Sequence, residues 1–199
     1  MGTITGIDQK TLSLQIRSLM VCGFLDEYNR LERTVRNVFE DSIADLPANF
    51  KQQLYFYYGG KIGTYIEYES QGTKLMELNY TEKEQFKNFS INQIINIFKY
   101  NKCLERFNFT IESIQRPATI FPFYDCIIRL LNMRNKLAHE VNELNFKDRD
   151  IVELLSPEQI SQEPFALLQN YDLLKMDEMT QYIASNIIYI RKIITKLTN

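Results

Sequence analysis

Residues 129–139 hold the side chains with the clearest chemical potential, a single histidine and several cations. His139 is the only histidine among 199 residues, and histidine is the side chain best suited to transfer protons near neutral pH. Arg134 offers a planar, permanently charged donor group that matches the shape of a phosphate. A proton carrier and a phosphate-binding group so close together indicate acid–base chemistry at a phosphodiester.

The spacing of these residues sets geometric conditions on such a site. Asn135 and His139 are four residues apart, so on a helix they share a face and the amide can hold one imidazole nitrogen. Arg134 and His139 are five apart, which on a regular helix means about 140° and about 7.5 Å. Both reach one phosphate only if the last turn loosens or the phosphate lies across the helix. A helix that ends near Ala138 or Glu140 would allow this.

Helical patterns predict the elements that position this segment. Apolar residues recur at three- and four-residue spacing, and capping patterns or prolines mark several helix starts. The predicted helices cover residues 22–44, begin at Ser90, cover 101–115, begin at Pro122, begin at Ser156 and cover about 176–197. The helix after Pro122 carries the histidine, and its predicted apolar face consists of Tyr124, Ile127, Ile128, Leu131 and Leu137.

Residues 50–68 fit two structures. The aromatic run LYFYY before Gly59-Gly60 fits a helix that ends at the glycines, and it also fits a short hairpin that turns there. We favour a helix followed by a loop, because the rest of the chain is helical. The predicted fold class is all-α, a bundle of five to seven helices, with a small irregular or hairpin insertion near 50–70 as the alternative.

Composition narrows the class of protein. The chain is 45% hydrophobic and 24% charged, which is ordinary for a globular domain. No run approaches the roughly 20 apolar residues of a membrane span. Cys22, Cys103 and Cys126 include no CxxC pair, so we expect buried free thiols in place of a zinc ribbon or disulfides. The expectation is a cytoplasmic protein with no membrane partner, no metal and no cofactor.

Positive charge is concentrated around the histidine. The whole chain has a net charge of −2, which disfavours a protein that coats nucleic acid by charge alone. Residues 97–139 nevertheless hold seven Lys or Arg against three Asp or Glu, a net +4, which leaves −6 for the remainder. A local basic patch on an acidic body fits a site that binds a few phosphates. The alternative is that these residues are solvated helix faces.

The segment Arg134-Asn135-Lys136-Leu137-Ala138-His139 resembles the Arg–x4–His motif of the HEPN superfamily, including the polar residue that often follows the arginine. Two upstream segments are similar more weakly: LERTVRNVF to an early HEPN helix, and SINQIINIFKYNKCLERFNF to the helices before the motif. The resemblance covers roughly residues 22–145. It implies one domain over 1–199, with a HEPN-like core at about 22–145 and a C-terminal helical extension at about 150–199.

The resemblance also implies a function. HEPN proteins are typically homodimers with a composite site across the interface, and many are metal-independent endoribonucleases that act as toxins, abortive-infection proteins or antiviral effectors. By position, Arg134 and His139 would be the catalytic pair and Asn135 the orienting residue. Candidate RNA-binding residues are Lys136, Arg129, Lys102 and Arg106. The implied partners are a second copy, an RNA substrate, and an antitoxin or sensor protein.

The residues fit a dimeric site independently of the family. RNA cleavage without a metal uses the 2′-hydroxyl as nucleophile and needs both a base and an acid. One histidine per chain does not easily serve as both, whereas a two-fold dimer supplies two. Two alternatives stay open. One is a non-catalytic HEPN module that dimerises and binds a protein or a nucleotide, which the acidic charge favours; the other is an unrelated helical interaction protein.

Overall fold

A computed structural model describes residues 8–42, 46, 55–58, 61–64, 89–111, 119–139, 154–165, 168 and 176–199. These residues are mostly helical. The elements, in chain order, are α1 (Gln9–Asp41), β1 (Tyr55–Tyr58), β2 (Lys61–Thr64), α2 (Ile91–Tyr100), a 3-10 turn (Glu105–Phe107), β3 (Phe109–Ile111), β4 (Thr119–Phe121), α3 (Phe123–His139), α4 (Pro157–Ser161) and α5 (Glu178–Thr198). A mainly helical class with five helices in the described ranges agrees with the prediction; a HEPN-like arrangement stays a prediction.

The chain divides into two compact units. The first comprises Met1–Leu31 and Arg129–Thr195, and the second comprises Glu32–Ile128 and Lys196–Asn199. Both α1 and α3 contribute residues to each unit. The predicted single domain with a core at about 22–145 stays a prediction. Among the described helices, none has the length and apolarity needed to cross a membrane.

Helix α1 begins well before the predicted residue 22. Asp8 caps it, because the Asp8 carboxylate accepts hydrogen bonds from the Thr11 amide at 3.0 Å and the Thr11 hydroxyl at 2.8 Å. Ile16 and Met20 extend the buried stripe towards this cap. The stripe follows three- and four-residue steps and consists of Ile16, Met20, Phe24, Tyr28, Leu31, Val35 and Phe39.

In the first unit, α5 is the most deeply buried helix. Every residue from 182 to 190 is buried, as expected of a helix that is covered on all sides. The predicted final helix is therefore confirmed, although Met179 and Leu197 of its predicted apolar face are only half-buried. Helix α4 begins as predicted at Ser156, whose hydroxyl and Gln159 form a reciprocal capping box.

Gly23 lies on α1 where it faces α5. A Cβ atom at this position would lie 3.6 Å from Ile187 Cδ1, an ordinary van der Waals distance. We therefore expect Gly23→Ala to raise the free energy of unfolding by about 0.5–1 kcal/mol, because alanine loses less backbone entropy in a helix. A urea titration of both proteins measures this. A lower midpoint for Gly23→Ala would show that the helices cannot accept the added methyl group.

Asp177 links the start of α5 to α1 within the first unit. Its Oδ1 accepts from the Thr180 amide at 2.8 Å and the Thr180 hydroxyl at 2.7 Å, which caps α5. Its Oδ2 accepts from Ser13 Oγ at 2.7 Å and Arg17 Nη2 at 2.6 Å, both on α1. Burial raises the pKa of Asp177, but the bonds from Ser13, Thr180 and Arg17 together lower it to about 2.

The lowered pKa of Asp177 predicts acid-sensitive stability. The carboxylate contributes fully above its ordinary pKa of 3.8 and loses that contribution as pH falls towards about 2. Because the side chain is partly exposed, we expect the carboxylate to contribute about 1 kcal/mol to the free energy of unfolding. Urea midpoints between pH 5 and pH 2 should fall less steeply for Asp177→Asn than for the wild type. Parallel pH profiles for the two proteins would exclude this role.

The second unit has an aromatic core. The Phe39 ring of α1 lies with its centroid 4.4 Å from Phe98 of α2, 4.9 Å from Phe107 and 5.9 Å from Phe123 of α3. Ser90 opens α2 through the predicted capping box with Gln93. The four rings hold α2, the 3-10 turn, and the adjoining ends of α1 and α3 together.

Two predictions for the second unit are wrong. The helix predicted over 101–115 is absent from the described part of that range: α2 ends, a 3-10 turn follows, and Phe109–Ile111 pairs antiparallel with Thr119–Phe121. The helix favoured over 50–68 is also wrong, because Tyr55–Tyr58 pairs antiparallel with Lys61–Thr64. The hairpin alternative near 50–70 is thus confirmed. The aromatic residues of Tyr55–Tyr58 favour a strand, and this local preference outweighed the helical context.

The three cysteines differ in exposure. Cys126 is buried, Cys103 is half-buried and Cys22 is exposed, and none of these three described cysteines forms a disulfide. This agrees with the expected lack of disulfides, but the predicted burial holds for Cys126 alone and is wrong for Cys22. This residue falls on the outward side of α1, two residues from the buried stripe at Phe24 and Met20.

Candidate active site

Helix α3 carries the candidate residues, and its start is fixed by two contacts. The Pro122 carbonyl accepts the first helical bond from the Cys126 amide at 3.2 Å, as the predicted helix start requires. The Phe123 amide donates to Asn108 Oδ1 at 2.9 Å, which satisfies one of the unpaired amides at the helix end. Asn108 was not identified from the sequence, because it lies fifteen residues before its partner and no local pattern links them.

The buried face of α3 differs from the predicted one. Its buried residues are Phe123, Cys126, Ile127, Leu130, Met133 and Leu137. Of the predicted face only Ile127 and Leu137 are among them, while Tyr124, Ile128 and Leu131 are half-buried. The helix holds more apolar side chains than one face can bury, so tertiary packing decides which of them are inside.

Arg134 lies at the edge of this buried face. Leu130 stands four residues before it and Leu137 three residues after it, and both are buried. The Arg134 side chain is accordingly half-buried, whereas Asn135 and Lys136 are exposed. Arg134 Nη1 donates a hydrogen bond to Asn135 Oδ1 at 3.2 Å. The structure therefore brings two of the three predicted catalytic residues into direct contact.

His139 is the last residue of α3. Its backbone is described, whereas its side chain lies outside the part of the molecule that the structure describes. The helix thus ends between Ala138 and Glu140, as predicted. Position 139 shares a helical face with Asn132 and Asn135, which are both exposed.

Arg134 and position 139 do not share a face. Helix α3 runs unbroken to its last residue, so the separation of about 140° applies. The spacing allowed two ways for both residues to reach one phosphate, and the first of them, a loosened last turn, is not found in α3. A phosphate that contacts both residues of one chain must lie across the helix end. The alternative is that it contacts Arg134 of one chain and His139 of another.

The helix end itself is electrostatically unfavourable for a phosphate. The last carbonyls of a helix carry partial negative charge, which repels anions and favours cations. Arg134 and Lys136 lie in the last two turns of α3, where their positive charge offsets this. An anion at this helix end would therefore need these cations.

The remaining candidate RNA-binding residues lie on different parts of the fold. Arg129 belongs to the first unit and is half-buried on α3. Lys102 and Arg106 belong to the second unit, after α2, and both are exposed. Among the described side chains, no group of three His, Cys, Asp or Glu is placed to hold a metal ion.

We compared the chain with protein-family models, with curated protein sequences and with solved structures, and none of the three comparisons finds a match. The HEPN resemblance rests on the motif and on the segments that precede it. The homodimer, the RNA substrate and the antitoxin or sensor partner accordingly stay predictions.

Proposed function

We propose that this protein is a metal-independent endoribonuclease of HEPN type, a toxin or antiviral-defence effector that acts as a homodimer. Its site would consist of Arg134, Asn135 and His139 from the two chains. The observation that carries the proposal is the placement of these residues in the last two turns of α3. There an arginine at the edge of the core contacts an exposed asparagine one turn before the histidine.

The Arg134–Asn135 contact supports the separate roles of the two side chains. A guanidinium has five N–H donors, and Asn135 Oδ1 takes one of them from Nη1. The other donors remain for a phosphate. The Asn135 amide nitrogen also keeps its donors, and one of them can hold an imidazole nitrogen four residues further along the helix.

The reaction would proceed by internal transfer. A base removes the proton of the RNA 2′-hydroxyl, and the 2′-oxygen attacks the neighbouring phosphorus. The bond to the 5′-oxygen breaks, and an acid protonates that leaving oxygen. One His139 would serve as base or acid, and the arginines would stabilise the additional negative charge on the phosphate oxygens. The products would be a 2′,3′-cyclic phosphate and a 5′-hydroxyl.

Helix geometry favours a second copy in this site. Each chain has one histidine, and position 139 lies about 140° from Arg134 on a regular helix. A two-fold axis near the ends of two α3 helices would supply two histidines and two arginines to one phosphate. This composite arrangement meets the need for both a base and an acid.

Cleavage of labelled RNA in EDTA tests the proposal. We expect the wild-type protein to cut all-ribose RNA, to leave the same sequence with deoxyribose uncut, and to produce 2′,3′-cyclic phosphate ends. Light scattering should give a mass near twice 23.6 kDa. A dimer that cuts no tRNA, mRNA or total RNA would favour the non-catalytic binding module. Cleavage of the deoxyribose strand would exclude the 2′-hydroxyl mechanism.

A further inference from the structure

The end of α2 and the turn after it carry three exposed cations. Lys99 lies in the last turn of α2, Lys102 follows the helix, and Arg106 lies in the 3-10 turn. We refer to Lys99, Lys102 and Arg106 as the α2 basic surface. Among the described residues, no carboxylate lies within ion-pair distance of Lys99 or Lys102. No described carboxylate therefore neutralises the charge of these two lysines.

The backbone of Lys102 has an unusual conformation. Its φ is +56°, the only positive φ of a non-glycine residue in the described ranges. The Lys102 amide donates to Lys99 O at 3.0 Å and the Cys103 amide donates to Phe98 O at 2.9 Å. These two bonds form a Schellman motif, in which glycine usually takes the left-handed position. Lysine is strained there, because its Cβ approaches the backbone and its side chain offers no local compensating bond.

Lys99 is held in place by neighbouring side chains of the same unit. Its Nζ lies 3.5 Å from the ring centroid of Tyr124, at the start of α3. The Tyr124 hydroxyl donates to Asn96 Oδ1 at 3.0 Å, and Asn96 Nδ2 donates to Asn92 Oδ1 at 3.1 Å. A cation that is already held over a fixed aromatic ring loses less side-chain freedom when it contacts a phosphate.

We propose that the α2 basic surface, with Tyr124 beside it, binds the phosphates of single-stranded RNA. This extends the proposed function, because it names where the protein holds its substrate strand apart from the atoms that react. Lysine at a position that favours glycine is explained by this role, since the charge at Lys102 is kept despite backbone strain. The alternative is that Lys102 only offsets the partial negative charge of the α2 carboxyl end.

The two roles of Lys102 predict different RNA affinities for the Lys102→Gly variant. If its charge only stabilises the helix end, Lys102→Gly leaves RNA affinity unchanged. If it binds phosphate, Lys102→Gly weakens binding by on the order of fivefold and reduces the slope of log K against log salt by about 0.7. The same change relieves the left-handed strain, so we expect Tm to rise by about 2–4 °C. Loss of affinity in a more stable protein would not be a folding defect.

Fluorescence anisotropy with a labelled 2′-O-methyl RNA of about 16 nucleotides measures this binding. The probe cannot react at its 2′-position, so affinity is obtained whether or not the protein cleaves RNA. Lys99→Gln should weaken binding as Lys102→Gly does, and Glu105→Gln, next to Arg106, should tighten it. The matched control is Lys192→Gln on α5, which removes an exposed lysine whose Nζ lies 5.5 Å from the centre of the Tyr189 ring.

Three results would overturn the proposal. They are no RNA binding by the wild-type protein, unchanged affinity in Lys102→Gly and Lys99→Gln, and equal weakening by the Lys192→Gln control. Binding of a polyglutamate peptide but not RNA would assign the surface to an acidic protein partner. RNA binding that depends on Lys102 without any cleavage would support RNA binding by the α2 basic surface. It would count only against the proposed nuclease activity.

Discussion

Replacing His139 by alanine should lower the proposed RNA cleavage in EDTA by on the order of 10²- to 10⁴-fold, the range for loss of a general acid or base. Arg134→Ala should lower it by about 10²- to 10³-fold, because the negative charge that develops on the phosphate would then lack a fixed donor. Both rates are measured with excess enzyme over a labelled RNA, so that the cleavage step itself is followed. These are the largest effects that we expect of any substitution on activity.

Asn132→Ala is the matched control for these variants. Asn132 is exposed on the same helical face as Asn135 and position 139, but the proposed reaction assigns it no role. It should keep the wild-type rate, and all variants should keep the wild-type Tm and oligomeric mass. His139→Ala with an undiminished rate would remove the histidine from the mechanism. Equal loss in Asn132→Ala would indicate a disturbed helix end.

Dilution tests whether the site requires a dimer without changing any residue. Activity per chain should fall as the protein is diluted below the concentration at which dimers form, because isolated chains lack the second histidine. His139→Ala should dissociate over the same range in sedimentation experiments. Activity per chain that is constant through dissociation would place the complete site in one chain.

The largest expected effect on stability comes from Phe39→Ala. Phe39 is 0% exposed, and its ring contacts those of Phe98, Phe107 and Phe123. Its removal loses the transfer free energy of a phenyl ring and leaves a cavity between four elements. We expect the free energy of unfolding to fall by about 3–5 kcal/mol, measured by urea denaturation.

Leu14→Ala on the same helix is the comparison for Phe39→Ala. Leu14 is 49% exposed, so its truncation should change the free energy of unfolding by less than about 0.5 kcal/mol. Similar losses in the two variants would mean that another surface covers Leu14. A loss below 1 kcal/mol for Phe39→Ala would mean that the aromatic core repacks without a cavity.

Local sequence signals determined where several helices begin. Ser90 and Ser156 cap α2 and α4 as predicted, because each capping box joins atoms only three residues apart. The end of α3 at His139 and the helical character of α5 were also predictable from apolar spacing and the polar stretch beyond Glu140. The residue types and spacing that suggest acid–base chemistry at a phosphate belong to this level, since they are read from six consecutive residues.

Only the tertiary structure decided which side of α3 is buried and which distant residues fix its start. The apolar residues of α3 are spread over more than half of its circumference, and packing selects the face that places Arg134 at the edge of the core. Asn108 at the start of α3 and the bonds of Asp177 to Ser13 and Arg17 likewise join residues far apart in sequence. Sequence patterns report neighbours along the chain, whereas such contacts depend on how complete elements pack.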